Sequence, residues 1–310
     1  MGKQNQELMM ITAGSTYLDI DAYACAVAMA ELLNLQGVNA IAYSRAPCNY
    51  SVCECLIEED QIMHELPSGV SAENLEYIIV DVSDPEFLKS SVPLNRVRAV
   101  YDHHIGFEKY WEDKIGDDAH IEFIGAAATL IYREWKRAGL TNEMKLSTAK
   151  LLIAAILDNT LNLTSSNTIG EDRSVFHALC AYAGVGDEFR DSYFSEVQKS
   201  VEADLKNAIF SDIKSVRHNS VLPQRVAQLT VWDARSILAR LPEICAWFEL
   251  STESFMINLI DIQEHCSYFV CPSEHNQRKI ERLFEVRFES DVAKSSVSYL
   301  RKEIIKKTKF

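Results

Sequence analysis

The 310-residue chain is 47% hydrophobic and 25% charged with a net charge of −14, ordinary for a globular protein and long enough for two domains, which excludes a disordered chain. The excess acid lies wholly in residues 1–190, which hold 28 acidic and 14 basic residues against 17 of each in 191–310. That balance argues against a broad nucleic-acid-binding surface in the first part and suits cation binding there.

The first 185 residues alternate short apolar runs with helical patterns. Leu8–Ala13 reads as a strand, and a helix follows from about Asp21 to Gln36. Strands are expected at Ala40–Tyr43, Glu76–Val82 and Arg98–Tyr101, with helices beginning near Gly125 and running through Ser147–Leu157. Strands alternating with helices imply βαβ units, hence an α/β domain with a mainly parallel, doubly wound sheet and helices on both faces. A boundary is expected near Gly186, after which the chain has no glycine, so a second domain would carry no Gly-rich phosphate loop. The division predicted is residues 1–186 and 187–310. In the second part a helix through Val201–Lys206, strands at Val226–Val231, Phe255–Ile260 and Tyr268–Cys271, and helices at Ala234–Arg240 and Asn276–Phe284 form a smaller α/β domain with a mixed sheet.

The apolar runs Ala22–Leu33 and Leu151–Leu157 are too short, or too flanked by charge, to span a bilayer, so no membrane partner is expected. Residues 1–7 lack the apolar core of a signal peptide, and Gly2 lacks the Ser or Thr spacing of a myristoylation signal. The eight cysteines form no C-x-x-C pair, and those within apolar runs read as buried thiols. A cytoplasmic, reducing setting is expected.

Chemistry concentrates at four places. Asp102-His103-His104 ends the run Val97–Tyr101, Asp19-Ile20-Asp21 opens the first helix, Asp81 ends Tyr77–Val80, and Asp158 follows Leu151–Leu157. In open α/β sheets ligands bind beyond the strand carboxyl ends, and carboxylates clustered there repel one another unless a cation neutralises them. The bland readings are a hydrogen-bonded strand-end histidine and solvated acids on helix faces.

The segments Gly14-Ser15-Thr16-Tyr17-Leu18-Asp19-Ile20-Asp21, Asp81, Asp102-His103-His104 and Ile156–Asn162, in this order, resemble the four motifs of the DHH phosphoesterase superfamily. Ser298-Tyr299-Leu300-Arg301-Lys302, with Asp204-Leu205-Lys206 and Gln228, resembles the closing elements of its exopolyphosphatase, family II inorganic pyrophosphatase and prune branch. The resemblance covers nearly the whole chain. It implies metal ligation by Asp19, Asp21, Asp81 and His103, with Asp81 bridging two cations. It further implies that His104 contacts a substrate phosphate, that Asp102 orients the histidine pair, and that Lys206, Arg301 and Lys302 hold phosphates from the second domain.

Two departures from the family pattern stand out. Ser15 takes the place of a metal-binding His in family II pyrophosphatases, or of an Asn in the exopolyphosphatase branch, so a weaker, more hydrated first site suited to Mg²⁺ is expected. In the fourth motif either Asp158 or Asn159 offers the oxygen ligand. The resemblance implies two divalent ions, Mg²⁺ or Mn²⁺, and hydrolysis of the phosphoanhydride bonds of pyrophosphate or polyphosphate by an activated water. The partner implied is thus a small polyanion, and a homodimer is left open. A nuclease acting on short oligonucleotides or cyclic dinucleotides, and a weakly catalytic phosphate- or nucleotide-binding regulator, are the rivals.

Overall fold

A computed structural model describes residues 8–14, 17–57, 61–67, 75–216, 219–248 and 254–308. Five apolar runs form the parallel strands β1 (Leu8–Thr12), β2 (Ala40–Ala42), β3 (Leu75–Val80), β4 (Val97–Asp102) and β5 (Ala119–Ile121). Their order, β2-β1-β3-β4-β5, places the topological switch between β1 and β3. The accompanying helices are α1 (Ile20–Leu35), α2 (Pro85–Leu88), α3 (Glu108–Ile115), α4 (Ala127–Ala138), α5 (Leu146–Asn159), α6 (Gly170–Ala183) and α7 (Asp187–Ala203).

Every position of β3 is buried, as a strand covered on both faces requires. On one face Met10, Tyr77, Ile79 and Val100 pack with Leu88, Val92 and Trp111. The alternate residues Ile11, Ile78 and Val80 are also buried, and α1 and α4 contact these strands. The helix α1 is Ala-rich and apolar around most of its circumference, so it runs as a central helix against α4 and α5. This is the doubly wound α/β sheet expected.

The contacts divide the chain into two compact units, residues 1–193 and 194–310, the division falling within α7 a few residues beyond Gly186. The second unit holds α8 (Leu205–Ser211), α9 (Arg235–Leu238), α10 (Leu241–Phe248), α11 (Glu274–Phe284) and α12 (Arg301–Lys307). Its strands are β6 (Ile213–Ser215), β7 (Arg225–Val231), β8 (Phe255–Asp261), β9 (Cys266–Val270), β10 (Phe288–Glu289) and β11 (Val292–Lys294). They form one mixed sheet in the order β10-β11-β9-β8-β7-β6, parallel only between β7 and β8. Its core is Val226, Met256, Phe269, Ile280, Phe284 and Ile304.

Local sequence patterns misplaced two helices. The expected helix through Val201–Lys206 breaks at Asp204, whose carboxylate accepts from the Asn207 N–H and caps α8. The helix expected over Ala234–Arg240 is the short α9, and a second helix that was not expected, α10, follows it with Pro242 in its first turn, where a missing N–H is harmless. Among the described residues no helix is long and apolar enough to cross a membrane.

One buried carboxylate ties the first unit together. Asp172 is fully buried and accepts from Gly125 N (2.9 Å), Thr129 Oγ1 (2.7 Å) and Ile169 N (2.8 Å), joining α6 to the start of α4. Gly125 is required by this approach, since a Cβ there would lie 2.6 Å from Asp172 Oδ2. Asp172→Ala leaves three donors without their acceptor, and we expect a loss of about 3–5 kcal/mol in urea denaturation. A loss under about 1 kcal/mol would mean that water or a shift of α6 replaces the carboxylate.

Candidate metal centre

The first three expected sites lie beyond the carboxyl ends of β1, β3 and β4, around the switch point. Asp19 is the N-cap of α1, and its Oδ1 accepts from Ala22 N at 3.0 Å. A side-chain acceptor is what an N-cap needs, and it pins the carboxylate at the helix mouth. Asp81 follows β3 in the left-handed region, at φ +58°, with its N–H donating to Tyr101 O at 2.8 Å. Such backbone is costly for a residue other than glycine, though short polar side chains tolerate it best. Here it turns the carboxylate toward the histidines of β4's end.

His103 and His104 are oriented through their other ring nitrogens. His103 Nδ1 lies 3.3 Å from Ile124 O, a carbonyl to which it can only donate, and this turns Nε2 toward Asp81. His104 Nδ1 donates to Asp102 Oδ1 at 2.8 Å, and the same oxygen accepts from His104 N at 3.0 Å. Burial pushes the Asp102 carboxyl up, but the hydrogen bonds and charge of His104 outweigh it and hold the group below the ordinary range. Asp102 is therefore an anionic brace with no exposed surface.

Asp81, His103 and His104 each offer a ligand atom, and these three atoms lie within 4.8 Å of one another. His103 Nε2 and Asp81 Oδ1 face each other at 3.4 Å, both buried and both without a hydrogen-bond partner among the described residues. A carboxyl oxygen and an imidazole nitrogen this close in a dry setting call for a proton or a cation between them. Two imidazoles and a carboxylate fit a divalent transition ion such as Mn²⁺.

The neighbouring carboxylates share the same crowding. Burial pushes the Asp81 carboxyl well above the usual range, and the charge of Asp19 raises it further. Asp21 is raised by burial and then by Asp81. Its two oxygens accept from Ala127 N (2.8 Å) and Ala128 N (2.9 Å), which satisfies the first turn of α4 across the fold. No side chain of α4 itself makes that cap.

Asp158, in the last turn of α5, is raised to about 7, by burial first and then by the charge of Asp19. Asp158 thus feels the acid that caps α1. Asn159 is half-buried beside it. Three successive left-handed residues, Leu161, Asn162 and Leu163, turn the chain away from α5, around the fully buried Thr160. Ser15 lies outside the described residues.

The sequence reading missed Tyr193. This buried phenol lies 3.1 Å from both Asp158 Oδ1 and Ser51 O, as donor to either. Ser51 Oγ accepts from Ile20 N at 2.9 Å, so one short network braces α1, α5 and the loop before residue 57. Tyrosine among helical apolar residues has no local signature of such a role.

The three cations expected to bind phosphate lie in the second unit. Lys206 on α8 and Lys302 on α12 are exposed. Arg301 is instead buried, its guanidinium paired with Asp212 at 2.7 and 3.0 Å and with the Asp212 carbonyl. Its backbone N–H donates to Gln228 Oε1 at 2.6 Å.

No family model matches the chain. In sequence it is similar to a Deinococcus radiodurans protein named probable manganese-dependent inorganic pyrophosphatase, at 30% identity over 190 residues, 58% of this chain and 55% of that one. A Lactobacillus helveticus protein of the same name is 25% identical over 301 residues, 93% of each chain. Among solved structures, a Methanococcus jannaschii protein assigned to the family II inorganic pyrophosphatases superposes with a TM-score of 0.64 at 19% identity, covering 97% of this chain and 98% of that one. The chain thus resembles the DHH branch containing the family II pyrophosphatases in sequence along nearly its full length, and it shares their two-domain α/β fold.

The raised carboxyl of Asp158 sets a pH dependence. Folded at about 7 and unfolded near an ordinary 3.9, Asp158 binds more protons in the folded state between those values, so its contribution to stability falls as pH rises through them. Asp158→Asn has no such titration. In EDTA we expect the variant to match wild type near pH 4 and to become progressively more stable than it toward pH 7.5. A constant difference across that range would mean that Asp158 is not desolvated. Tyr193→Phe keeps the packed ring but removes the donor to Asp158. We expect Mn²⁺ affinity to fall about tenfold by calorimetry with an unchanged far-UV spectrum, and unchanged affinity would show that Tyr193 does not position that carboxylate.

Proposed function

We propose that this chain is a divalent-metal-dependent hydrolase acting on the acid anhydride bond of inorganic pyrophosphate, with short polyphosphates as further substrates. The observation that carries the reading is the pair of unpartnered buried acceptors, Asp81 Oδ1 and His103 Nε2, within one cluster with His104. The names of the relatives, matched over 93% of the chain in one case, support pyrophosphate as substrate and Mn²⁺ as metal.

In this reading residues 1–186 hold two divalent ions and residues 187–310 bind phosphate. Asp81 would serve both ions, and Asp19, Asp21, His103 and Asp158 would complete the ligands. Asp158 is preferred to Asn159 because its carboxylate carries the negative charge that a divalent cation favours and is positioned by Tyr193. When bound, divalent cations at such a site supply positive charge to phosphate oxygens and acidify water. The protein's own groups do the rest. Asp102 holds His104 by Nδ1, which leaves Nε2 to meet a phosphate oxygen or the metal. Burial of Asp81 and His103 keeps bulk water from screening these charges. The exposed Lys206 and Lys302 are the cations offered to phosphate in the second unit, while Arg301 secures the start of α12 through Asp212.

The test is turnover with Mn²⁺ or Mg²⁺ against pyrophosphate, tripolyphosphate, long polyphosphate and a dinucleotide. Orthophosphate release from pyrophosphate is expected. Cleavage of the dinucleotide alone would assign the chain to the nuclease reading, and metal binding without turnover would assign it to the regulator. Asp81→Asn, which tolerates the left-handed backbone, should weaken Mn²⁺ binding at least a hundredfold, about 2.7 kcal/mol. Wild-type affinity in a folded Asp81→Asn protein would remove Asp81 from the metal site.

A further inference from the structure

The loop before residue 57 carries a second reactive group, outside the metal centre. Cys53 and Cys55 place their sulfurs 2.7 Å apart. Cys53 is buried at 3% exposure, and Cys55 is exposed. The approach is built by the backbone. Cys53 caps a 3₁₀ turn, Glu54–Leu56, from an extended conformation (φ −85°, ψ 153°), and the turn folds Cys55 back on it. Leu56 N–H donates to Cys53 O at 3.1 Å and Ile57 N–H to Glu54 O at 3.1 Å, which fixes the turn. The loop is anchored at both ends of its preceding segment, by Asn49 N to Leu18 O (2.7 Å) and by Ser51 to Ile20 N and Tyr193 Oη.

We infer that Cys53 and Cys55 form a redox pair that a peroxide oxidises to an intramolecular disulfide. An S–S bond is about 2.04 Å long, so closing it from 2.7 Å needs only a small rotation of the two side chains. Exposure makes Cys55 the group that meets the oxidant, and Cys53 is placed to resolve the product. The Cys55 thiolate attacks one peroxide oxygen, the O–O bond breaks, and the departing hydroxide takes up the thiol's proton to leave as water. The Cys53 thiolate then attacks the Cys55 sulfenic acid. The S–S bond forms, the S–O bond breaks, and the hydroxyl leaves as a second water with the proton of Cys53. Two electrons pass from the thiols to one peroxide, and the balance closes. In a reducing compartment a low-molecular-weight thiol reverses the step by exchange.

The buried Cys271 and Cys266 are less suited. Cys271 is buried and held up to about 11, so it stays protonated, and Cys266 is raised by burial too. The disulfide would fall two residues after Ser51, on the segment that braces the α1 N-terminus and Asp158. The inference stands apart from the hydrolase reading, because it rests on the thiol geometry alone.

The experiment treats the whole chain with a small excess of hydrogen peroxide, then maps alkylation by mass spectrometry. Expected is a product two mass units lighter, with Cys53 and Cys55 protected from iodoacetamide, restored by dithiothreitol. Cys55→Ser should form no such product. Cys53→Ser should instead accumulate a sulfenic acid on Cys55, trapped by dimedone. Should Cys53→Ser fail to fold, the exposed Cys55→Ser variant alone decides. Continued alkylation of both cysteines after peroxide, or the same mass loss in Cys55→Ser, would overturn the inference.

Discussion

Taking several carboxylates out of water within reach of one another is the feature around which the first unit is arranged. Asp19, Asp21, Asp81 and Asp158 come from three separate parts of the chain, and burial raises the last three while each also feels a neighbouring acid. In the absence of a cation such a cluster is tolerable only by holding protons, since like charges in a poorly solvated setting oppose one another. Cation binding and proton release are therefore coupled by the same groups. Asp81 Oδ1 and His103 Nε2, buried 3.4 Å apart, face one another at the centre of this exchange.

The fold meets the cost of this cluster by giving most of these carboxylates a donor from elsewhere in the chain. Asp19 caps α1, Asp21 satisfies the start of α4, and Asp158 takes a donor from Tyr193. Hydrogen bonds to the charged form oppose the rise caused by burial, and they also fix direction. The left-handed Asp81 is the one member held by backbone geometry at the end of a strand. The parallel sheet makes this economical. In the order β2-β1-β3-β4-β5 the carboxyl ends of β1, β3 and β4 are neighbours, so chain segments far apart in sequence deliver their first residues to one place.

The second unit shows a different use of charge. Arg301, at the start of α12, has its guanidinium enclosed by Asp212 and its backbone N–H by Gln228, and Asn258 Nδ2 donates to Tyr299 O nearby at 2.7 Å. Arg301 is buried while Asp212 stays partly exposed, so the pair holds the guanidinium in place without enclosing both charges. The motif Ser298–Lys302 thus sets an arginine paired with Asp212 beside an exposed lysine.

The sequence by itself determined the class of fold and the places where chemistry gathers. Alternation of short β-rich apolar runs with helical periodicity is a local property, and it sufficed for β1, β3, β4, α1 and α5 and for the acids and histidines at their ends. The same periodicity passed over short or polar elements such as α2, α3 and β5, whose residues are buried on one side only by partners elsewhere in the chain. Tertiary structure alone decided the rest. That Asp21 caps a helix more than a hundred residues away, that Tyr193 reaches Asp158 and Ser51, and that Arg301 faces Asp212 are each consequences of hydrogen bonds closed between distant segments. Such bonds leave no mark on neighbouring residues, because only the packed sheet and helices bring their two halves within 3.1 Å of each other.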